Sequence, residues 1–126
     1  MNRQADRHAR RLAERRGRIA EEVAAWSCRL RGFRVLAQRY RTPFGGIDLV
    51  LRRRSLVVFV EVKARASREQ ALYALRPQQQ MQLTRAATHY LRDHAVHANC
   101  TMRFDLIALC PWRWPLHIEN AWQAHH

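Results

Sequence analysis

The sequence predicts an α/β sandwich, in which a mixed central sheet is flanked by helices in the order α-β-β-β-α-β-(β). Three strand-like runs follow one another between two helical patterns, and a further strand follows the second helix. The run Leu-Val-Val-Phe-Val-Glu-Val, residues 56–62, is apolar on both faces and indicates a central strand that is covered on both sides. A chain of 126 residues has room for one domain with one hydrophobic core.

The N-terminal part of the chain predicts a basic arm followed by a first helix. Residues 1–17 are polar and rich in arginine, a composition that favours a flexible arm or a frayed helix. Small residues then recur on one helical face over residues 18–31, and Gly32 is suited to end this helix. We therefore expect a single folded domain over residues 18–122 and a tail over residues 123–126.

Alternation and turn residues predict the remaining elements. Pro43 and two glycines between residues 42 and 46 indicate a turn or bulge. Pro77 favours the start of a second helix, because its missing N–H leaves no bond unmade in a first helical turn. Apolar residues continue at helical spacing as far as Leu91. The predicted strands are residues 34–40, 47–52, 56–63, 102–109 and 116–122.

The charge balance indicates a polyanionic partner. There are 23 basic and 10 acidic residues, which give a formal net charge of +13. Such a field attracts phosphate groups, and DNA, ribosomal RNA or a membrane surface would each suit it. Composition alone therefore favours nucleic acid without identifying it.

Several classes of protein are excluded. No apolar run approaches the roughly 20 residues of a membrane-spanning helix, and the arginine-rich start lacks the apolar segment of a secretory signal. Cys28, Cys100 and Cys110 are widely spaced and include no C-x-x-C pair, so we expect neither a disulfide framework nor a structural zinc site. The sequence thus predicts a cytoplasmic protein without a membrane partner.

Three charged residues on adjacent strands form the predicted catalytic centre. A two-residue connection at residues 53–54 would place Asp48 opposite Phe59. Asp48 and Glu61 would then be diagonal neighbours on one face of the hairpin, roughly 7 Å apart at the backbone. Lys63, the only lysine among the 23 basic residues, would project from the same face.

A divalent cation would resolve the repulsion between two such carboxylates. Close like charges and the loss of hydration both disfavour ionised carboxylates. Mg²⁺ or Mn²⁺ bound by Asp48 and Glu61 would offset this cost and would suit phosphodiester hydrolysis. Lys63 would position the attacking water or stabilise the developing charge. The alternative is an ordinary ion pair between Lys63 and one carboxylate at the edge of the sheet.

Two motifs carry a resemblance to a known family. Residues 45–50, Gly-Gly-Ile-Asp-Leu-Val, and residues 59–65, Phe-Val-Glu-Val-Lys-Ala-Arg, resemble the G-E-I-D-L-[IV] and F-V-E-V-K-x-R motifs of the YraN-like family of small bacterial proteins. Further residues that match the family occur in the same order as in its members, from Gly17 to Trp122. The resemblance implies a restriction-endonuclease-like fold of the PD-(D/E)XK type, which Holliday-junction-resolvase-like nucleases share.

The resemblance also implies roles for individual residues. By similarity, Asp48 and Glu61 are metal ligands and Lys63 is the catalytic lysine. Glu21 is a further acidic catalytic residue from the first helix; the alternative is a charge that interacts only with the helix dipole. The chain departs from the family motif at Gly46, where relatives have glutamate. We therefore expect it to hold fewer ions, or to hold them more weakly.

Polar and basic residues near these motifs are candidate nucleic-acid contacts. Glutamines near the start of the second helix stand where relatives often have a basic residue. They either contact DNA or a metal-bound water, or form a solvated polar face. The predicted nucleic-acid-binding residues are Arg41, Arg65, Gln78, Gln79 and Arg85.

The function that the sequence favours is a Mg²⁺- or Mn²⁺-dependent endonuclease acting on DNA, with branched or damaged DNA as the substrate that the resemblance suggests. The first alternative is a non-catalytic nucleic-acid-binding module that retains the fold, and Gly46 favours it. The second is a basic adaptor for a DNA-processing or transport complex, contacted through the arginine-rich arm. Resolvase-like relatives also suggest a homodimer.

Overall fold

The computed structural model describes residues 2–123. The elements in chain order are α1 (Arg3–Leu30), β1 (Arg34–Thr42), β2 (Gly45–Arg53), β3 (Leu56–Ala64), α2 (Arg68–Ala74), α3 (Pro77–Asp93), a short 3-10 helix (Ala95–His97), β4 (Thr101–Leu109) and β5 (Leu116–Trp122). All the predicted strands are present. The predicted tail lies outside the described residues from position 124 onwards.

The strands form one mixed sheet in the order β1-β2-β3-β4-β5. β3 and β4 are parallel, whereas the other neighbours are antiparallel. A parallel pair needs a crossover connection, which α2 and α3 provide. The result is a mixed central sheet flanked by helices, consistent with a restriction-endonuclease-like fold, and the predicted fold class is confirmed.

Two hydrophobic clusters lie on the two faces of the sheet. On one face, Ala24 and Cys28 of α1 belong to a cluster with Val58 of β3. On the other face, Phe59 packs edge-on against Tyr90 of α3. Neighbouring residues of β3 thus belong to different clusters, and β3 is a central strand covered on both faces, as predicted.

Helix α1 begins at Arg3, not at Arg18, and runs for 28 residues. Asn2 caps it by accepting hydrogen bonds from two backbone N–H groups of the first turn. Residues 2–16 are all exposed, so tertiary packing holds only the second half of this helix. The mobility expected for residues 1–17 is a separate property and stays a prediction.

Two further points concern the helices. The seven-residue helix α2 is not predicted from the sequence, because it is too short to give a clear apolar period, although Ser67 caps it. None of the helices within residues 2–123 combines the length and the apolar character needed to cross a membrane.

The register between β2 and β3 differs from the predicted one. Leu49 pairs with Val60, and the connecting turn begins at Arg54, one residue later than predicted. Arg54 has a φ of 55°, the left-handed conformation that tight hairpin turns favour. Extending this register by one pair places Asp48 directly opposite Glu61, rather than diagonally from it.

Candidate active site

Backbone pairing between β2 and β3 stops just before the two acidic residues, Asp48 and Glu61, which we call the carboxylate pair. The last paired residues are Leu49 and Val60. Beyond them, the Val62 N–H donates to Asp48 Oδ2 at 2.8 Å, so a side chain replaces the backbone acceptor. This bond fixes the Asp48 carboxylate beside β3, where the ladder of the sheet ends.

Glu61 lies on β3 and is held by two donors. Lys63 Nζ lies 3.3 Å from Glu61 Oε1, and Gln79 Nε2 of α3 donates to the same oxygen at 3.0 Å. Glu61 is only 7% exposed, which places an ionisable group at the edge of the core. Both donors act on Oε1, and the Glu61 carboxyl group also forms a side-chain hydrogen bond with Asp48.

Burial raises the pKa of both groups of the carboxylate pair. Loss of hydration, followed by the charge of Asp48, raises the pKa of Glu61 to about 8, although Lys63 opposes this. Loss of hydration also raises the pKa of Asp48, against the hydrogen bonds from Val62 N–H and from Glu61. At neutral pH the pair therefore retains a proton, shared in the hydrogen bond between the two groups.

Glu21 of α1 approaches the same region. Its Oε2 forms an ion pair with Arg39 Nε at 3.3 Å. This buried oxygen accepts no hydrogen bond within residues 2–123. Burial and then the charge of Asp48 raise the pKa of Glu21, while Arg39 and Arg18 lower it. Glu21 is thus close enough to the carboxylate pair to respond to its charge, whereas its catalytic role stays a prediction.

One cleft of about 450 Å³ brings these groups together. Lys63 and the carboxylate pair form its floor, and α1 supplies the facing wall, including Arg16 and Gly17. Arg65, just beyond β3, also lines it. Neither Arg16 nor Arg65 has an acidic partner within residues 2–123. The cleft therefore combines buried acidic groups with cations that are free to bind an anion.

The donor set suits a hard divalent cation held by few protein ligands. Mg²⁺ is commonly bound by one or two carboxylates, with waters and substrate phosphates completing its octahedral shell. The carboxylate pair supplies two such groups, and Glu21 Oε2 is a third acidic oxygen nearby that lacks a hydrogen bond. Across the described residues no group of three or more His, Cys, Asp or Glu side chains is placed to hold a metal. A cation here would depend on water and phosphate oxygens.

The predicted nucleic-acid contacts fall into two groups. Arg65 lines the cleft, Gln79 touches the carboxylate pair, and Arg41 lines an adjoining cavity that reaches Asp48. In contrast, Arg85 lines a separate cavity on α3, and Gln78 is exposed and does not line the cleft. The structure thus brings three of the five residues to the candidate site.

Three residues at the site were not among those predicted from the sequence. Arg39 has a positive φ of 52°, and no sequence pattern reveals its contact with the acidic residues. Arg16 and Gly17 belong to the segment that the sequence assigns to the arm. A signal for them does exist, because Ala13, Gly17 and Ala20 continue the small-residue stripe of α1 at helical spacing.

Comparison with known proteins supplies the family. The model of the Uncharacterised protein family UPF0102 matches residues 20–109, a range that contains the carboxylate pair, Lys63 and Glu21. A UPF0102 protein of Mesorhizobium japonicum is 47% identical over 118 residues, which is 94% of each chain. One of Brucella canis is 45% identical over 120 residues, 95% of each chain, and one of Paramagnetospirillum magneticum is 42% identical over 127 residues, 98% of each chain. The chain therefore belongs to the UPF0102 family, and the resemblance to the YraN-like family is confirmed.

Proposed function

We propose that the protein is a Mg²⁺- or Mn²⁺-dependent endonuclease that hydrolyses phosphodiester bonds in DNA. The observation that carries this proposal is the convergence of the carboxylate pair and Lys63 in one cleft lined by unpaired arginines. Acidic oxygens for a cation and cationic side chains for phosphates are both needed for phosphodiester hydrolysis. The cytoplasmic location expected from the sequence is part of this proposal.

Each acidic residue of the pair is held in a defined orientation. The Val62 N–H fixes Asp48 through a 2.8 Å hydrogen bond, and Gln79 fixes Glu61 through a 3.0 Å bond. A bound divalent cation would supply positive charge to the phosphoryl group and would make water a stronger nucleophile. The role of the pair is to hold that cation, and losing its shared proton is a condition for doing so.

Lys63 and the arginines act on the substrate itself. The Lys63 ammonium, 3.3 Å from Glu61, stabilises the negative charge that develops on the phosphoryl oxygens and orients the attacking water. Arg16 and Arg65 bind phosphates on either side of the scissile bond. Gln79 is a positioning residue, because it acts through Glu61.

A non-catalytic nucleic-acid-binding module is the second candidate function. It is favoured by Gly46, which stands where the family motif has glutamate, and by the small number of acidic ligands in the described part of the chain. Such a module would keep the cationic cleft but would bind a divalent cation too weakly for turnover.

Cleavage of supercoiled plasmid and of a four-way DNA junction, with Mn²⁺ and with EDTA, tests the proposal. The variants are Asp48→Asn, Glu61→Gln and Lys63→Met, each with a thermal unfolding curve to confirm folding. Asp93→Asn is the matched control, because the one ion pair that this exposed residue of α3 makes within residues 2–123 is with His89. We expect Mn²⁺-dependent cleavage by the parent and the control, and a loss of about 100-fold or more in each site variant.

The outcomes separate the two functions. Equal cleavage by Asp48→Asn and the parent protein would remove the carboxylate pair from the reaction and contradict the proposal. Salt-sensitive DNA binding without cleavage by any folded variant, including the parent, would support the binding module instead.

A further inference from the structure

The first part of α1 forms an exposed basic helix beside the cleft. We call residues 3–17 the arm; they span about 21 Å at the rise of an α-helix. Every residue from 2 to 16 is exposed, so the arm stands clear of the core. It is nevertheless continuous with the packed half of α1, which fixes its direction relative to the carboxylate pair.

The charges of the arm do not neutralise one another. Arg3, Arg7, Arg11 and Arg15 recur every four residues and therefore follow one side of the helix. Like charges at this spacing destabilise a helix. None of these arginines has an acidic partner within residues 2–123. A polyanion along this side would remove the repulsion and stabilise the arm.

The arm ends at the cleft. Arg16 and Gly17 line the cavity that holds the carboxylate pair. The arginine side of the arm points away from this cavity, because Arg15 and Gly17 lie about 160° apart around the helix. A helix in the major groove lies between the two DNA strands, so the arginine side would contact one strand and the Gly17 side would face the other. A Cβ at Gly17 would meet no atom within 4 Å, hence packing does not require glycine there. Since glycine inside a helix is less favourable than alanine, its presence on the cleft side is explained if a strand passes close to this position.

The dimensions and composition of the arm select the kind of polyanion. An α-helix is about 10–12 Å wide, and the major groove of B-form DNA is about 12 Å wide and admits one. Single-strand-binding surfaces rely on aromatic side chains that stack on bases, yet residues 2–18 contain no Phe, Tyr or Trp. The major groove of duplex RNA is deep and narrow and does not admit side chains in this way.

We propose that the arm binds in the major groove of B-form duplex DNA and contacts its phosphates, so that one strand enters the cleft beside Gly17. This inference rests on the proposed function and names its substrate class, a DNA duplex rather than a single strand or an RNA duplex. The arginines of the arm are binding residues, and the chemistry remains with the carboxylate pair.

Binding in EDTA tests the inference without requiring cleavage. The arm variant carries Arg7→Gln, Arg11→Gln and Arg15→Gln, and glutamine preserves helix propensity. The control carries Arg34→Gln, Arg54→Gln and Arg92→Gln, three exposed arginines outside the arm and the cleft. Both variants lose the same formal charge. Fluorescence anisotropy measures the affinity of each for one 20-base-pair sequence as duplex DNA, single-stranded DNA and duplex RNA, over a range of salt concentrations.

We expect the arm variant to bind duplex DNA about tenfold or more weakly than the parent, with a salt dependence reduced by about three phosphate contacts. The control should change by less than about threefold, and the arm variant should lose less on the other two nucleic acids. Equal losses for the arm and control variants, or equal losses on all three nucleic acids, would overturn the inference and leave the proposed nuclease function intact. A parent protein that binds no nucleic acid would overturn both.

Discussion

Two regions of the molecule bury carboxylates in opposite ways. Asp105 of β4 is fully buried, and its two oxygens accept hydrogen bonds of 2.7–2.8 Å from Arg103, His117 and the Asn120 N–H. Burial acts to raise the pKa of Asp105, but these donors outweigh it and lower the pKa below its usual value. Asp105 is therefore a stable anion that joins β4 to β5.

The carboxylate pair has fewer donors and a second negative group beside it. The pKa of Glu61 rises to about 8, and that of Asp48 is raised as well. The contrast shows that burial alone does not decide the ionisation of a carboxyl group, since the number and charge of its donors decide it. Asp105 is a saturated carboxylate, because several hydrogen-bond donors occupy its oxygens, and it supports the fold. The carboxylate pair is under-saturated, because it has fewer donors, and at an open cleft it is suited to bind a cation.

The largest expected effect is at the saturated carboxylate. Asp105→Asn removes the negative charge while Arg103 remains nearby, and breaking a buried ion pair of this kind costs about 3–5 kcal/mol. We expect urea denaturation to show a loss of unfolding free energy on this scale, against less than about 0.5 kcal/mol for the exposed Asp93→Asn. A small effect at Asp105 would mean that its hydrogen bonds contribute little to the fold.

At the under-saturated pair, replacing the ionisable Glu61 with uncharged glutamine should stabilise the protein. The pKa of Glu61 in the fold is about 8, whereas in the unfolded chain the group ionises near its ordinary pKa of 4.5. Its contribution to stability is therefore present below pH 4.5 and is lost as the pH rises through about 8. Glu61→Gln does not titrate, so its unfolding free energy in EDTA should exceed that of the parent increasingly with pH.

This second prediction is measured by urea denaturation of the parent and Glu61→Gln at pH 5 and pH 8.5. We expect the difference between them to grow with pH, by up to about 4 kcal/mol over this window, since each pH unit between the two pKa values contributes about 1.4 kcal/mol. A difference that stays constant, or that shrinks with rising pH, would contradict the raised pKa of Glu61.

The sequence predicted the sheet and the identity of the acidic residues better than it predicted their contacts. Local patterns predict the strands that alternate in polarity and the strand that is apolar on both faces. They also give the spacing of Asp48, Glu61 and Lys63. The register between β2 and β3 depends on which residue of the turn adopts the left-handed conformation, and an arginine at position 54 gives no such signal. The hydrogen bond that Gln79 donates to Glu61 is also a tertiary feature, because it comes from a helix distant in sequence.

The start of α1 at Arg3, rather than at Arg18, has a different cause. Repulsion between arginines makes residues 3–17 an unfavourable isolated helix, which is why the composition favours an arm. The structure continues the helix from its packed half, with Asn2 as the cap. Local propensity and helix continuation thus compete at this segment, and the sequence alone does not say which prevails.

The smallest expected effect is at the wall of the cleft, which can be altered without touching either carboxylate. Gly17→Ala adds a methyl group in open space, and it should raise the unfolding free energy by up to about 1 kcal/mol. The same methyl group should weaken binding to duplex DNA if the strand passes beside it. Thermal unfolding and anisotropy measure the two effects, and a variant that binds duplex DNA more tightly would contradict this placement of the strand.

Proton release during a Mn²⁺ titration, measured by calorimetry at pH 7 in two buffers of different ionisation enthalpy, tests whether the carboxylate pair binds a divalent cation. The carboxylate pair retains a proton that a bound cation must displace. We expect the release of about one proton per bound ion from the parent protein and none from Glu61→Gln. Tight Mn²⁺ binding without proton release, or unchanged release from Glu61→Gln, would show that the cation binds elsewhere and that the carboxylate pair is not the metal site.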